Sequence, residues 1–600
     1  MYVESYRNRQ ADITKCDELL PLYMACKVTW RTLSEQTIIS SSSTIRSTPG
    51  WEKKLANEAD REQWIADMKG NGLTDKQASY VISELFYYAK LLKCVRSSGS
   101  DAKLSLVDMV WYTDIPESSD LAQGFKTALC KMLETMPRNH CNWKILRDEK
   151  WVPIELIVDP SLYSLVYKST PILPEPITSP LDALSLPSFG TVPGSIDAWK
   201  QAVCDLNASM ASKGKDSAES SEQSDTAADS FVPFNEVYLG MVDERERHWL
   251  PTDIYVNGDG SVDFNSYINN VHPVEHAGVY TAISKILART VPLLEQVLTD
   301  WKYPRDLRVP YDYWNCLVLP EKAPDYTSGN EKDNDYFEKW CADYDEWRDS
   351  IVDTTMNPAD FVEPKRPLAA YSLRNKNLQV VVEITDKDMP PFSTTAAENI
   401  IATAIYYYDV GSEGKGSIEF DEGIECDYST VYGSGYNMLA HGILYGGEKN
   451  AKGYFIKQSA GSIDIEEGRI VCYPNVYRIQ DSTRCPKRLT MYFVDPSIRV
   501  VSTAIVPPQQ KDWWMKAVSS VPSRLSMLPV EIQNMVFKNV DSPMSFKKAC
   551  DIVEWPNGAE FCDDFDENDY DNGFFKFNCY VHVGDTTIGD VYDFVYNIDY

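Results

Sequence analysis

No pair of cysteines stands at CxxC spacing anywhere in this chain, and its 14 cysteines are scattered without a period. The opening stretch, MYVESYRNRQADITKCDELL, carries no apolar core of export-signal length. Such cysteines are expected as buried or free thiols in a reducing compartment, the cytoplasm or the nucleus, with the cytoplasm the default. Nowhere do 18 apolar residues run together, which excludes a membrane-spanning helix. There is no GxSxG elbow and no run of Lys and Arg. Lys and Arg total 58 against 89 Asp and Glu, a net charge of −31. A surface that acidic repels phosphate backbones and anionic head groups, so neither nucleic acid nor a membrane surface is expected as a partner. Histidine is scarce too. The six are His140, His248, His272, His276, His441 and His582. None opens the HxD or HxE spacing with which a two-histidine, one-carboxylate iron site usually begins.

What is present fits a folded chain of two or three packed units: 600 residues, 43% hydrophobic and 12% aromatic. Residues 1–206 read as mainly helical. Apolar residues recur at three- and four-residue spacing over Leu55–Met68, Lys76–Val95 and Leu121–Met136. In the second, Val81, Ile82, Leu85, Phe86, Ala89 and Leu92 are expected to share one buried stripe. Ser195 is placed to cap a helix carrying Trp199, Val203 and Leu206. Residues 207–231 are small and charged and read as a flexible loop. Residues 232–377 look mixed, with helical stretches Ala282–Leu287 and Leu293–Trp301 broken by Pro292, and an acidic helix over Asp335–Ile351.

After Asn377 the texture changes to short β-branched and aromatic runs: LQVVVEI (378–384), NIIATAIYYYD (399–409), GYFIK (453–457), RIVCYP (469–474), LTMYFVD (489–495) and IRVVSTAIV (498–506). That cadence predicts an antiparallel barrel or sandwich over 378–506. Residues 507–600 form an extension with a helix near Leu528–Val540 and the acidic stretch EFCDDFDENDYDN.

Two strings invite chemistry. HPVEH (272–276) has the HxxEH spacing of one zinc-peptidase class, but Pro273 opposes a continuous helix and no third ligand is evident; a helix start explains it better. GSEGKGS (411–417) follows no strand–loop–helix unit and reads as a hairpin turn rather than a phosphate cradle.

The segments IVDPSLYSLVY (157–167), WLPTDIYVNGDGSV (249–262), SYINNVHPVEH (266–276), VPLLEQVLTDW (291–301) and VSTAIVPPQQKDWW (501–514) closely resemble a fungal family known as domain of unknown function 4246. PGWEKKL (49–55) and LPVEIQNMVFKNVDSPMSFKKA (528–549) also resemble it. The family's β-rich region is similar to Fe(II)/2-oxoglutarate oxygenases. The resemblance therefore implies an α+β fold, with a helical N-terminal half packed on an antiparallel double-stranded β-helix of jelly-roll or cupin type.

Carried onto this chain, the resemblance puts the ligand positions on poor ligands. Counting back from Glu398, the first histidine falls on Pro391 and the glutamate on Ser393; the second histidine falls on Ile479. The basic position for 2-oxoglutarate falls beside Lys487 and Arg488. A proline, a serine and an isoleucine cannot hold Fe(II). The leading expectation is an inactive oxygenase-like protein without a cofactor, binding an unidentified protein or small molecule. One alternative is an active oxygenase that uses Fe(II) and 2-oxoglutarate, its ligands drawn from His441 or His582 with Asp409 or Glu398. The other is an adaptor acting through Leu528–Phe537, whose opening resembles an F-box helix.

Overall fold

The computed structural model describes residues 31–135, 142–145, 151–154, 156–167, 169–185, 190–195, 197–206, 247–309, 356–385, 399–411, 416–423, 448–449, 455–481, 487–520, 527–540 and 543–554, with isolated positions elsewhere. Ten helices lie in them. They are α1 (Leu33–Ser47), α2 (Trp51–Leu55), α3 (Glu58–Gly70), α4 (Asp75–Ser97), α5 (Asp120–Thr135), α6 (197–206), α7 (Ala277–Lys302), α8 (Lys511–Ser520), α9 (Val530–Lys538) and α10 (Phe546–Glu554).

The helix signals act locally as expected. Thr74 and Gln77 close a capping box at the start of α4, each side chain accepting the other's backbone N–H. Ser195 Oγ accepts the N–H of Ala198 at 3.1 Å and begins α6, which buries Trp199, Val203 and Leu206. The buried face of α4 is turned from the expected line: Ala78, Val81, Leu85, Tyr88, Leu92 and Val95 face inward together with Glu84, Tyr87 and Leu91, while Phe86 is 49% exposed. Phe86 lies one residue off the inward-facing line and takes the Arg61 guanidinium over its ring instead.

Pro292 does not break α7, which runs unbroken for 26 residues. A proline removes one N–H, but burial of both flanks holds this helix: Val291, Leu293, Leu294 and Val297 are all at most 3% exposed. Most of 335–351 and all of 207–246 lie outside the described residues.

The strands are β1 (Lys103–Leu104), β2 (Trp111–Asp114), β3 (Leu156–Val158), β4 (Thr252–Val256), β5 (Val262–Phe264), β6 (Lys376–Thr385), β7 (Ile400–Asp409), β8 (Ser417–Gly423), β9 (Glu448–Lys449), β10 (Phe455–Asp464), β11 (Arg469–Pro474), β12 (Tyr477–Asp481) and β13 (Lys487–Val494). Three further short strand pairs among the described residues belong to neither of the two larger sheets. The large sheet has the order β1-β2-β11-β7-β13-β6-β4-β5, with β3 also on β6; the small one has the order β9-β10-β8-β12. Every pairing in both is antiparallel. This is an α+β protein whose large sheet is open. It reaches beyond 378–506 to take strands from both the N-terminal and the middle regions.

Side-chain alternation divides the large sheet. On one face Val380, Val382, Ile384, Ala404, Tyr406, Met491 and Phe493 join the main core with α7 and the N-terminal helices. Phe125 of α5 stacks edge-on against Tyr406 and Tyr408. On the other face Ile405, Tyr407, Val471 and Tyr473 meet Ile418, Phe420, Ile463 and Tyr477 of the small sheet in a second cluster. The two sheets thus share an interior.

Two local expectations fail for identifiable reasons. GSEGKGS does not join a hairpin, because β7 and β8 on either side of it belong to different sheets; residues 412–415 lie outside the described residues. Residues 498–506 form no strand, although all but the half-buried Arg499 are buried. Their backbone groups pair irregularly. The Gln379 amide takes both the N–H and the C=O of Val500 at 2.9 Å, Thr503 N–H bonds Pro251 O, and Ala504 O and Ile505 O accept from Ile177 and Leu173. A buried chain satisfied this way needs no ladder.

Candidate functional site

Polar side chains interrupt the inner face of the large sheet at alternate positions of adjacent strands. Along β13 these are Arg488, Thr490 and Tyr492. In register, Thr385 and Tyr407 flank Arg488, Glu383 and Ile405 flank Thr490, and Val381 and Thr403 flank Tyr492. Thr403 in turn stands opposite Tyr473 of β11. All of these polar residues are buried; Arg488 is 2% exposed and Glu383 1%. Burying charge this deeply is costly unless it is matched.

Tyr492 Oη donates to Glu383 Oε2 at 3.1 Å. Burial raises the Tyr492 phenol well above its ordinary value, and the Glu383 charge adds to this while Arg488 opposes it. Burial likewise raises Tyr473, against the opposing pull of Arg488 and a hydrogen bond with Thr403. Both phenols therefore stay protonated at neutral pH and serve as donors rather than bases. Thr490 Oγ1 is buried and finds no hydrogen-bond partner among the described residues. The cluster sets a permanent cation, the Tyr473 phenol and the Thr490 hydroxyl in a low-dielectric interior beside the Glu383 carboxylate, which already takes the Tyr492 O–H. This is equipment for holding an anionic group.

Lys487 and Arg488 are not brought together. As neighbours on one strand they project to opposite faces. Lys487 is half-exposed and ion-paired with Asp409 at 3.1 Å, and only Arg488 enters the interior. That pairing also engages Asp409 as a surface partner. Ile479 does point inward, as a ligand position requires: it lies in β12 opposite Phe420 and packs into the aromatic cluster with Tyr473 and Tyr477. An isoleucine among phenyl rings donates nothing to a metal. Fe(II) does not fit this position. Pro391, Ser393, Glu398 and His441 lie outside the described residues, and His582 sits on a two-residue strand far along the chain. Among the described residues, no three His, Cys, Asp or Glu side chains gather as metal ligands.

HPVEH is a helix start. His272 Nδ1 accepts the N–H groups of Val274 and Glu275 at 3.3 and 3.2 Å, and α7 begins only after His276. The His272 ring stacks edge-on against Trp513, and Glu275 pairs with Lys516. The two imidazoles therefore do not share one helical face.

A family described as Protein of unknown function (DUF4246) matches residues 75–517, well over half of the chain. The chain belongs to this family. No curated protein and no solved structure matches it. PGWEKKL and the helix near Leu528 fall outside the matched residues. Inside them, the strings that mark this DUF4246 chain converge in space. Gln510 Nε2 donates to both Asn269 and Asn270, Asn270 Nδ2 reaches the carbonyls of Asp159 and Leu162, and Gln509 Nε2 reaches Tyr163 O. Thr503, Ser266 and Thr252 bond through their hydroxyls beside them. The family strings at 157–167, 249–276 and 501–514 thus form one buried hydrogen-bonded junction, a structural role.

The sequence reading found Arg488 but missed Glu383, Thr490, Tyr492 and Tyr473. The available signal was the run of polar residues at every second position of RLTMYFV, with a lone glutamate in LQVVVEI. No helix among the described residues is long and apolar enough to cross a membrane.

Proposed function

We propose that this DUF4246 protein is a catalytically inert, oxygenase-like protein that binds a small carboxylic acid between its two sheets, with Arg488 as the carboxylate anchor. The observation that carries this is the burial of Arg488 on the inner face of β13, between Thr385 and Tyr407 and near the phenols of Tyr473 and Tyr492. The isoleucine at position 479 and its aromatic surroundings support the absence of iron chemistry. Two charge-assisted bonds from one guanidinium contribute about 3–6 kcal/mol in a dry site.

Anaerobic calorimetry with 2-oxoglutarate and a series of small dicarboxylates tests the reading, run with and without Fe(II). Binding should be independent of Fe(II). Arg488→Met should abolish it, whereas Lys487→Met should leave it within about twofold, since only the first side chain faces the interior. Tight one-to-one uptake of Fe(II), or equal loss in both variants, refutes it.

A further inference from the structure

We propose that the acidic, aromatic-bearing stretch at residues 560–571 of this same chain docks on the outer face of α9. This inference is independent of the site at Arg488. Helix α9 is held on the protein by Phe537, buried against the Trp514 ring at 5.3 Å. Its opposite side is apolar and open: Leu528, Ile532, Met535 and Val536 recur at helical spacing and are 40–60% exposed, flanked by Met527 at 82% and Val530 at 65%. A stripe of six adjoining apolar residues is more than scattered surface leucines, and marks a surface with an occupant.

Charge selects that occupant. In a chain of net charge −31, the strip 527–549 carries Lys538, Lys547 and Lys548 against only Glu531 and Asp541. The three lysines are exposed and form no ion pair with any described residue. A second copy of so acidic a protein is repelled, and so is an anionic lipid surface. The chain itself supplies the complement. Glu560, Asp563, Asp564, Asp566, Glu567, Asp569 and Asp571 are interleaved with Phe561, Phe565 and Tyr570, with no basic residue among them. The reach is sufficient. The six residues between Glu554 and Phe561 span up to about 20 Å, whereas the nine-residue helix α10 that must be passed is about 14 Å long.

A tether this short holds its end at about a millimolar effective concentration, so a contact with a dissociation constant of ~0.1 mM is about nine-tenths closed. Hydrogen–deuterium exchange over 527–538 in the full chain reads this directly. Replacing Asp563, Asp564, Asp566 and Asp569 together by Asn should speed exchange about tenfold. Lys538→Glu with Lys547→Glu and Lys548→Glu should do the same from the other side, and 1 M salt should remove most of the difference. Unchanged exchange in both variants overturns the proposal. So does sedimentation of the full chain as a dimer through this stripe, or recovery of a Skp-type ubiquitin-ligase subunit by the unmodified full chain.

Discussion

Asp495 ends the central strand β13 and offers a sharp test of how this interior handles charge. It is 1% exposed; Oδ1 accepts the N–H and the hydroxyl of Ser497 at 2.8 and 2.7 Å, while Oδ2 is buried with no hydrogen-bond partner among the described residues. Burial pushes its carboxyl up from 3.8 to about 6, and the two bonds from Ser497 only moderate the rise. An acid whose folded value lies above its unfolded one binds its proton more tightly when native. It therefore costs stability as pH rises from about 4, and the full cost is present above about 6. Two units correspond to roughly 3 kcal/mol as a ceiling. Asp495→Asn keeps the Oδ1 acceptor and removes the charge, at the expense of about 1 kcal/mol for an amide N–H₂ without an acceptor. The variant should be more stable than the parent by about 1–2 kcal/mol at pH 7.5, and the gain should vanish or reverse at pH 4. Urea unfolding of both proteins at the two pH values decides it. A gain that is the same at both, or a parent more stable at pH 7.5, refutes the reasoning.

Three further outcomes are expected. Arg308, 3% exposed, pairs with Glu84 at 2.7 Å, Asp108 at 3.1 Å and Glu35 at 3.5 Å. Burial opposes ionisation of Glu84 and Asp108, but the arginines overcome it and hold both below the ordinary carboxylate range. That stability is present at neutral pH and is lost as pH falls through the depressed values. Arg308→Met should cost about 3–5 kcal/mol by urea unfolding at pH 7 and flatten the acid limb of the profile. Gly468 has φ of +87° with the carbonyl of Ile115 2.0 Å from where a Cβ would stand, while Gly50 at +74° faces open space. Gly468→Ala should lower stability by more than about 2 kcal/mol and Gly50→Ala by about 1 kcal/mol, checked by thermal unfolding. His272→Ala should cost about 1 kcal/mol through the two bonds lost from the turn that leads into α7, with or without added zinc; stabilisation of the parent alone by zinc would restore a metal role to HPVEH.

Local chemistry wrote much of this protein in the sequence. Thr74 with Gln77 and Ser195 with Ala198 fix helix starts through bonds spanning three residues, and the β-branched runs at 378–384, 400–409, 469–474 and 489–494 become strands because their side chains suit a pleated, buried surface. Family membership was equally legible, since it depends on strings of residues along the chain. Other features depend on contacts far apart in the chain. Pro292 is tolerated because tertiary burial outweighs one lost N–H, 498–506 forgoes a ladder because Gln379, 121 residues away, satisfies its backbone, and Phe86 faces solvent because the core claims a different line of α4. The candidate site is of this second kind. Alternation along β13 could separate Lys487 from Arg488, but only the register of β6, β7 and β11 against it sets Glu383, Thr403 and Tyr473 around that arginine. Hydrogen-bonded pairing between strands up to about 100 residues apart is a property of the folded sheet, and no local pattern encodes it.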